Sequence, residues 1–270
     1  MSAKNILLKP IGRDAANECV KRFHYSGKVV NNSQLHIGVY WDGQLEGAMQ
    51  FGPSLDKSKI QGLVEKTPWN GFLELNRMAF GPALPANSES RALAVAMRLV
   101  KKHAPHVEWI ISFADATQCG DGTIYRASGF LLTGIKKNNQ VWAAPSGDVF
   151  SRVSLTEDRS AKQKNQAVKV VSRTTLTKGG NNFATGGASM KAYEEAGFRP
   201  LDGFQIRYIY PLKPDVRERL TVPVLPYSAL DDAGARMYKG KRVGGADSGT
   251  PSHHEGGGGA NPTPTLESDL

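Results

Sequence analysis

SFADATQCGDGTIYRASGF, Ser112 to Phe130, is the stretch on which the reading of this chain turns. The apolar run before it, Trp109-Ile110-Ile111, reads as a buried strand. That strand gives way to small and polar residues, among them Asp115, Thr117, Gln118 and Cys119. Gly120-Asp121-Gly122 predicts a turn, with Asp121 as helix N-cap. A short helix is expected over Thr123 to Ser128, stopped by Gly129, a residue suited to a helix C-terminus. Phe130-Leu131-Leu132 opens another strand. The unit is strand, polar crevice, short helix, strand, and in open α/β sheets ligands bind beyond the carboxyl ends of strands. A carboxylate, a hydroxyl, a thiol and the phenol of Tyr125 fall in that crevice. The plainer alternative is a capped turn with one packed aromatic.

Upstream, Asn5 to Ile11 reads as a strand and Arg13 to Phe23 as a helix. Ala16, Cys19, Val20 and Phe23 recur there at spacings of three and four. Asp14 falls in its first turn, where a negative charge is favoured. Leu35 to Trp41 and Gln44 to Phe51 form a hairpin around Asp42-Gly43, with Gly47 marking a bulge or a close approach. A loop region, Gly52 to Asn70, leads to a strand over Gly71 to Phe80. The strongest helix covers Glu89 to His103, with Asn87 or Ser88 as N-cap and Pro105 as its stop.

Downstream, Phe130 to Ile135 and Gln140 to Ala143 predict a hairpin. From Ser151 to about Asn182 the chain turns basic and reads as an insertion, partly mobile. Ala188 to Ala196 reads as a helix and Phe204 to Tyr210 as the final strand. A proline-rich wrap with a short helix over Asp215 to Leu220 follows. Residues 1–240 are expected to form one domain, with 151–187 as the insertion. Gly, Pro, Ser and Thr dominate 241–270, so a disordered tail is expected there.

The chain has 270 residues, a formal net charge of +9 and a pI near 9.5. That length suffices for a sizeable core, and that charge favours an anionic partner, nucleic acid first. Two cysteines, Cys19 and Cys119, argue against a disulfide scaffold and fit a reducing cytoplasm. The absence of CxxC excludes a zinc ribbon or finger. MSAKNILLKPIGRD does not read as a signal peptide. No apolar run has the length of a membrane span.

Several residues carry chemistry. His24 and Tyr25 after the first helix are a base or metal ligand beside an aromatic that positions a substrate; the alternative is a helix-terminal histidine and a packed tyrosine. Arg77, near a strand end, can pair with phosphates or form an ion pair with Glu74 or Glu89. Asn87 to Arg91 can hold an anion through backbone amides. Asp115, near Ser112 and Tyr125, is a general acid/base or holds one in place. Cys119 has no evident histidine partner as a nucleophile. In the insertion, Lys162, Lys164, Lys169 and Arg173 can lie along DNA phosphates.

The order of elements resembles the GNAT N-acyltransferase fold. The expected class is α/β: a mixed, mostly antiparallel, splayed central sheet flanked by helices, with the basic insertion and the disordered C-terminal tail added. In that fold a donor's pyrophosphate sits at the N-terminus of the long helix. Here PALPANSESR stands in place of the usual arginine-rich, glycine-spaced loop. A closer resemblance is to the Mom family of phage DNA-modification proteins. It is carried by FHYSG (Phe23–Gly27), LHIGVYWDGQLEGAMQFGPS (Leu35–Ser54), ELNRMAF (Glu74–Phe80), NSESRALA (Asn87–Ala94), the opening stretch and GFQIRYIYPL (Gly203–Leu212). LTVPVLPYS (Leu220–Ser228) and ARMYKG (Ala235–Gly240) extend it.

The resemblance implies a transferase that converts adenine in duplex DNA to N6-carbamoylmethyladenine and so masks it from restriction nucleases in a host cytoplasm. It implies a flipped adenine and an acyl-type donor, acetyl-CoA or a relative. It also raises bound iron as a component, with His24 the single candidate ligand. His24, Asp115 and Tyr125 are then the catalytic candidates, and Tyr25 and Tyr40 the substrate-binding ones. Arg77, Ser88, Ser90, Arg91 and Ser112 are the candidates for holding the donor. Two other functions fit the same sequence: an ordinary GNAT N-acetyltransferase on a small amine or protein, and a non-catalytic DNA-binding anti-restriction protein.

Overall fold

The structure, a computed structural model, describes residues 2–117, 120–147, 149–152, 155, 177–178, 181–182, 190–238 and 241–242. Cys119, Lys162, Lys164, Lys169, Arg173, most of the insertion and nearly all of the tail lie outside the described residues. In chain order the elements are β1 (Leu7–Pro10), α1 (Arg13–Phe23), β2 (Leu35–Trp41), β3 (Gln44–Gly52), α2 (Lys57–Gln61), β4 (Phe72–Phe80) and α3 (Ser88–His103). Then come β5 (Trp109–Asp115), α4 (Thr123–Ala127), β6 (Leu131–Lys137), β7 (Val141–Ala143), β8 (Val149–Ser151), β9 (Thr177–Lys178) and β10 (Asn181–Asn182). The last are α5 (Met190–Glu195), β11 (Arg199–Pro200), β12 (Phe204–Pro211), α6 (Ala229–Asp232), β13 (Met237–Tyr238) and β14 (Lys241–Arg242).

The main sheet has seven strands in the order β1-β2-β3-β4-β5-β12-β6. Every pairing in it is antiparallel except β4 with β5. That parallel pair is joined only at Phe72–Trp109, Leu73–Ile110 and Glu74–Ile111. Above it β4 stays with β3 as far as Phe80, and β5 stays with β12 as far as Asp115. Two halves that each keep their own twist diverge beyond a short seam. The sheet is therefore mostly antiparallel and splayed, as expected.

Helices cover both faces. α3 sets Leu93, Ala96 and Met97 against Val39, Met49, Phe51 and Ile110, the centre of the largest core. On the other face α1 sets Ala16 and Cys19 against Ala48. Beyond it Phe72 and Trp109 stack with ring centroids 4.5 Å apart, packed with Ile111, Ile209 and Val216. The β2–β3 turn has Asp42 and Gly43 at φ of 47° and 77°, the left-handed pair that matches strand twist. Gly47 is a close approach: a Cβ there would stand 2.7 Å from Phe80 Cδ1 and 2.9 Å from the Ala79 carbonyl oxygen.

The structure corrects several expectations. β6 and β7 are not a hairpin: β6 pairs with β12, and β7 joins β8 and β11 in a separate sheet. The reason lies in β12, whose Ile206, Tyr208 and Ile209 are all fully buried on two faces. A strand apolar on both faces is stabilised between two partners, so β12 takes β6 from its neighbour in sequence. At α3, Asn87 is the N-cap, one of the two residues expected there, but it is left-handed and makes no side-chain cap, and the Ser88 hydroxyl donates to the Pro85 carbonyl at 2.6 Å. At α4 the N-cap residue is Gly122, while Asp121 supplies the oxygen that accepts from the Thr123 N–H at 3.0 Å. The first strand starts at Leu7 because Ala3–Asn5 form a 3-10 turn. The Asp215 to Leu220 helix is a 3-10 turn, Pro214–Arg217, and the expected loop before β4 contains α2. Glu108 ties the wrap to the sheet by accepting from Arg219 at 2.7 Å and Lys213 at 3.0 Å.

Candidate functional site

The site begins with a bulge in β4. Phe51 faces Leu75 but Gln50 faces Arg77, so Asn76 is an extra residue on β4. Strict alternation would put Glu74 and Arg77, three apart, on opposite faces; the extra residue returns both to the α1 face. On β5, Trp109 and Ile111 belong to the core on that face and Phe113 packs against it. Asp115 is the next residue in the same alternation. Glu74 and Arg77 on one arm of the opening and Asp115 on the other therefore project from the same side of the sheet.

The end of α1 adds an imidazole. His24 leaves the helix in an extended conformation, its N–H bonded to the Val20 carbonyl at 3.1 Å. The Ser26 N–H donates to His24 Nδ1 at 3.2 Å, and Ser26 Oγ lies 2.8 Å from the same nitrogen. An accepting Nδ1 places the ring proton on Nε2. Burial, reinforced by the nearby Arg77 guanidinium, pushes the imidazole down to about 3, so it is neutral at physiological pH. The Tyr25 ring lies 4.3 Å from the imidazole, centroid to centroid, and is 49% exposed. Arg77 donates through Nε to the Lys28 carbonyl at 2.9 Å and through Nη1 to the Asn76 carbonyl at 2.7 Å. Burial lowers its pKa, while Tyr25 and Glu74 act to raise it. His24, Tyr25, Glu74 and Arg77 are thus one electrostatic cluster.

Both carboxyl groups bind their protons more tightly than usual. Burial raises Glu74, and Ser54, Asn76 and Arg77 oppose that without reversing it. Burial also raises Asp115, against hydrogen bonds from Thr117 and Asn138. The Thr117 N–H donates to Asp115 Oδ1 at 3.0 Å. No hydrogen bond or ion pair joins Asp115 directly to His24. Glu74 is the residue that sequence reasoning passed over, giving it only an ion pair with Arg77. The signal was available: a carboxylate between Leu73 and Leu75 in a strand otherwise built for burial.

The remaining candidates stand elsewhere. Ser112 is fully buried on the α3 face, its hydroxyl without a hydrogen-bond partner among the described residues. Tyr125 is on that face too, its ring 5.2 Å from those of Tyr208 and Phe130. Tyr208 donates to the Asp121 carbonyl at 2.5 Å and so pins the turn that precedes α4. Tyr40 shares the α1 face but lies two strands from β4, with Lys9 Nζ 5.3 Å from its ring. No interaction joins it to His24 or Tyr25.

Ser90 and Arg91 line a cleft of about 610 Å³ along α3, together with Lys4, Asn87, Ala94 and Arg98. The cleft has three cations and no carboxylate in its walls. Arg91 Nη2 donates to the Lys4 carbonyl at 3.1 Å, and its Nε is buried with no partner among the described residues. Arg77 is not part of this cleft: it lies on the α1 face, bonded to Lys28 and Asn76. An anionic group fits the cleft's charge. Iron does not fit the described residues, among which no three His, Cys, Asp or Glu side chains could hold a metal ion. His24 stands as a single imidazole beside a guanidinium, a poor donor set for a cation. No helix among the described residues is long and apolar enough to cross a membrane.

A sequence model of the Mom protein family matches residues 5–229. A curated relative, the methylcarbamoylase mom of Escherichia phage Mu, is 38% identical over 133 residues, which cover 49% of this chain and 55% of that protein. The match thus spans about half the length of that relative. Among solved structures, an IAA acetyltransferase from Bacillus cereus aligns with 77% of this chain and 99% of its own, at 10% identity and a TM-score of 0.39. A Bacillus subtilis acetyltransferase in complex with CoA aligns with 77% and 98%, at 10% identity and a TM-score of 0.38. A GNAT family acetyltransferase from Elizabethkingia anophelis with acetyl-CoA bound aligns with 77% and 98%, at 11% identity and a TM-score of 0.36.

Proposed function

This chain belongs to the Mom protein family, and from that premise we propose that it is a transferase that modifies adenine in duplex DNA. The product is N6-carbamoylmethyladenine, formed in the host cytoplasm and protecting phage DNA from restriction. The observation that carries the reading is the placement on one sheet face of a neutral imidazole, an exposed tyrosine and two half-buried carboxyl groups around a splayed seam. Adenine N6 lies inside the duplex, so the base is flipped out to reach them. Tyr25, half-exposed beside His24, stacks on it, an interaction worth roughly 1–3 kcal/mol; Tyr40 stands too far from the cluster to share that role.

The N6 lone pair is delocalised into the purine ring, so N6 attacks only as its proton is removed. His24 is poorly placed to remove it, because Nδ1 accepts from Ser26 and Nε2 carries the ring proton. Its Nε2–H instead donates to an acceptor atom of the base or of the incoming group. The proton goes to a carboxylate, Asp115 first and Glu74 second, a step worth about 10²–10⁴-fold. Arg77 steadies negative charge from the β4 arm, and Tyr125, reached from the α3 face, orients the donor or protonates its leaving group.

The donor supplies the transferred group. Ser90 and Arg91, with Lys4 and Arg98, hold its anionic end, while Ser88 and Ser112 are buried behind the surface. A plain acyl transfer would leave a carbonyl on N6, whereas the proposed product has a methylene there. Either an acyl intermediate is rearranged or the donor is not a simple acyl-CoA. Lys162, Lys164, Lys169 and Arg173 are assigned to DNA phosphates. The test is nucleoside mass spectrometry of plasmid DNA from cells expressing the soluble protein. A deoxyadenosine heavier by a carbamoylmethyl group, lost in Asp115→Asn, is expected. Unmodified adenine alongside soluble wild-type protein refutes the reading.

A further inference from the structure

Arg207 lies in the middle of β12, opposite Phe113 of β5 and Gly134 of β6. Its guanidinium is built into a seat. Nε donates to Thr133 Oγ1 at 3.1 Å and Nη2 to the Thr133 carbonyl at 2.6 Å. A Cβ on Gly134 would stand 3.1 Å from Nη2 and 3.2 Å from Cζ, so the group lies against a strand position kept free of side chain. Both bonds are on the β6 side, which leaves Nη1 without a hydrogen bond among the described residues.

Charge makes the seat unusual. Arg207 is half-buried, and among the described residues no Asp or Glu pairs with it. Burial alone lowers its pKa, with no anion acting in the other direction. Arginine is rarely taken out of water without a partner for its charge. Its position is equally specific. Ile206 and Tyr208 face the α3 core, Ile209 faces the α1 side, and a bulge falls between Arg207 and Tyr208. Arg207 therefore shares the α1 face with Phe113 and Asp115. The cross-strand row above it, Asp115–Gln205–Lys136, ends in an exposed lysine.

We propose that Arg207 binds a backbone phosphate of the DNA strand that carries the target adenine, next to the flipped nucleotide. The inference rests on the functional reading above, since it takes DNA as the occupant of this face. Two donors in one guanidinium plane suit a phosphate oxygen pair, and the open Nη1 edge with Lys136 two strand positions away supplies the charge. The other source of phosphate is the donor, held by Arg91 and Arg98 on the opposite face.

The experiment compares full-length wild type, Arg207→Gln, Arg207→Lys and Gly134→Ala. Affinity for a duplex oligonucleotide is measured at several salt concentrations, and affinity for coenzyme A separately. Arg207→Gln is expected to weaken DNA binding about 5- to 20-fold and to reduce the salt slope by about one, the signature of one lost phosphate contact. Coenzyme A affinity stays at the wild-type level. Arg207→Lys keeps the slope but loses part of the affinity, because an ammonium lacks the planar fork. Gly134→Ala displaces the guanidinium without removing its charge and gives a smaller loss. A glutamine variant that melts earlier yet binds DNA with wild-type affinity and slope makes Arg207 a staple between β12 and β6, and overturns the proposal. Loss of coenzyme A affinity in place of DNA affinity assigns the seat to the donor and overturns it too. Wild-type protein with no affinity for duplex DNA refutes the functional reading itself, and the seat with it. DNA binding that depends on Arg207 but leaves adenine unmodified refutes only the transferase reading.

Discussion

Replacing His24 with asparagine tests whether the fold holds this imidazole neutral. In the unfolded chain the group titrates at its ordinary value of 6.5, and in the fold at about 3. Between those values the unfolded state carries a proton that the folded state does not, so stability rises with pH. The contribution is complete above 6.5 and is lost as pH falls towards 3. Each pH unit inside the window is worth about 1.4 kcal/mol, and from pH 7 to pH 5 wild type loses about 2 kcal/mol through this residue. Asparagine keeps an oxygen that can accept from the Ser26 N–H but has nothing to titrate. Glu74 and Asp115, both raised, act in the opposite direction in the two proteins alike and cancel in the difference. Urea unfolding of both proteins at half-unit steps from about pH 7.5 to 4.5 covers the upper part of the window and reads the effect directly. Wild type should converge on or fall below the variant as pH drops, by about 2 kcal/mol between pH 7 and pH 5. Two parallel curves would show that the imidazole charges freely in the fold, and Nε2–H could then no longer be treated as a fixed donor.

Asp115→Asn should lower the rate of adenine modification by about 10²–10⁴-fold with DNA affinity kept, measured by single-turnover nucleoside mass spectrometry; Glu74→Gln should cost less. Because burial raises Asp115, the wild-type rate should climb with pH through a carboxyl pKa above the ordinary one, and the limb should be absent from the residual activity of Asp115→Asn. Glu108→Ala should destabilise the protein by about 2 kcal/mol, since it leaves the mostly buried Arg219 without its closest partner. Burial raises the Glu108 pKa, but hydrogen bonds and charge from Arg219 and Lys213 outweigh it and leave the group lowered. The stabilisation is therefore present above the unfolded carboxyl pKa and fades as pH falls through the folded one, which acid titration of both proteins would check. Gly47→Val should cost about 1–3 kcal/mol in thermal or urea unfolding, because its Cβ meets Phe80 and the Ala79 carbonyl inside contact distance.

Periodicity in this sequence reveals elements better than it reveals partners. α1 and α3 were legible because Ala16, Cys19 and Val20, and Ala92, Leu93, Ala96 and Met97, recur at helical spacing and are buried as that spacing requires. The hairpin at Asp42-Gly43 was legible because left-handed turn residues are written in the sequence. The pairing of β6 was not, because nothing local in LLTGIKK distinguishes a neighbour in the chain from β12, which returns after more than sixty residues. The face on which a site residue falls was hidden in the same way. Glu74 and Arg77 share a face only through the extra residue at Asn76, and a bulge is set by the register with β3 rather than by the β4 sequence. His24, Tyr25, Arg77 and Asp115 were legible as reactive types at element ends. That Tyr125 and Ser112 sit behind the sheet, and Tyr40 two strands away from β4, required the topology.

The split seam also sorts the acid–base work between its two arms. On the β4 arm Glu74 has Arg77 acting on it, and a neighbouring cation makes its carboxylate easier to form and weaker as a base. On the β5 arm Asp115 is half-buried, and hydrogen bonds from Thr117 and Asn138 act against the effect of that burial. Both carboxyl groups are half-buried and both are raised by that burial. The imidazole cannot compete, since its free nitrogen already accepts from Ser26. In the proposed reaction, proton removal from N6 is assigned to the Asp115 arm, and Arg77, His24 and Tyr25 across the opening to positioning the base and the charge that develops on it. The opening exists only because β4 and β5 share three residue pairs and then part, so a substitution that lengthened this seam would bring the carboxylate and the guanidinium together and remove the difference between the arms.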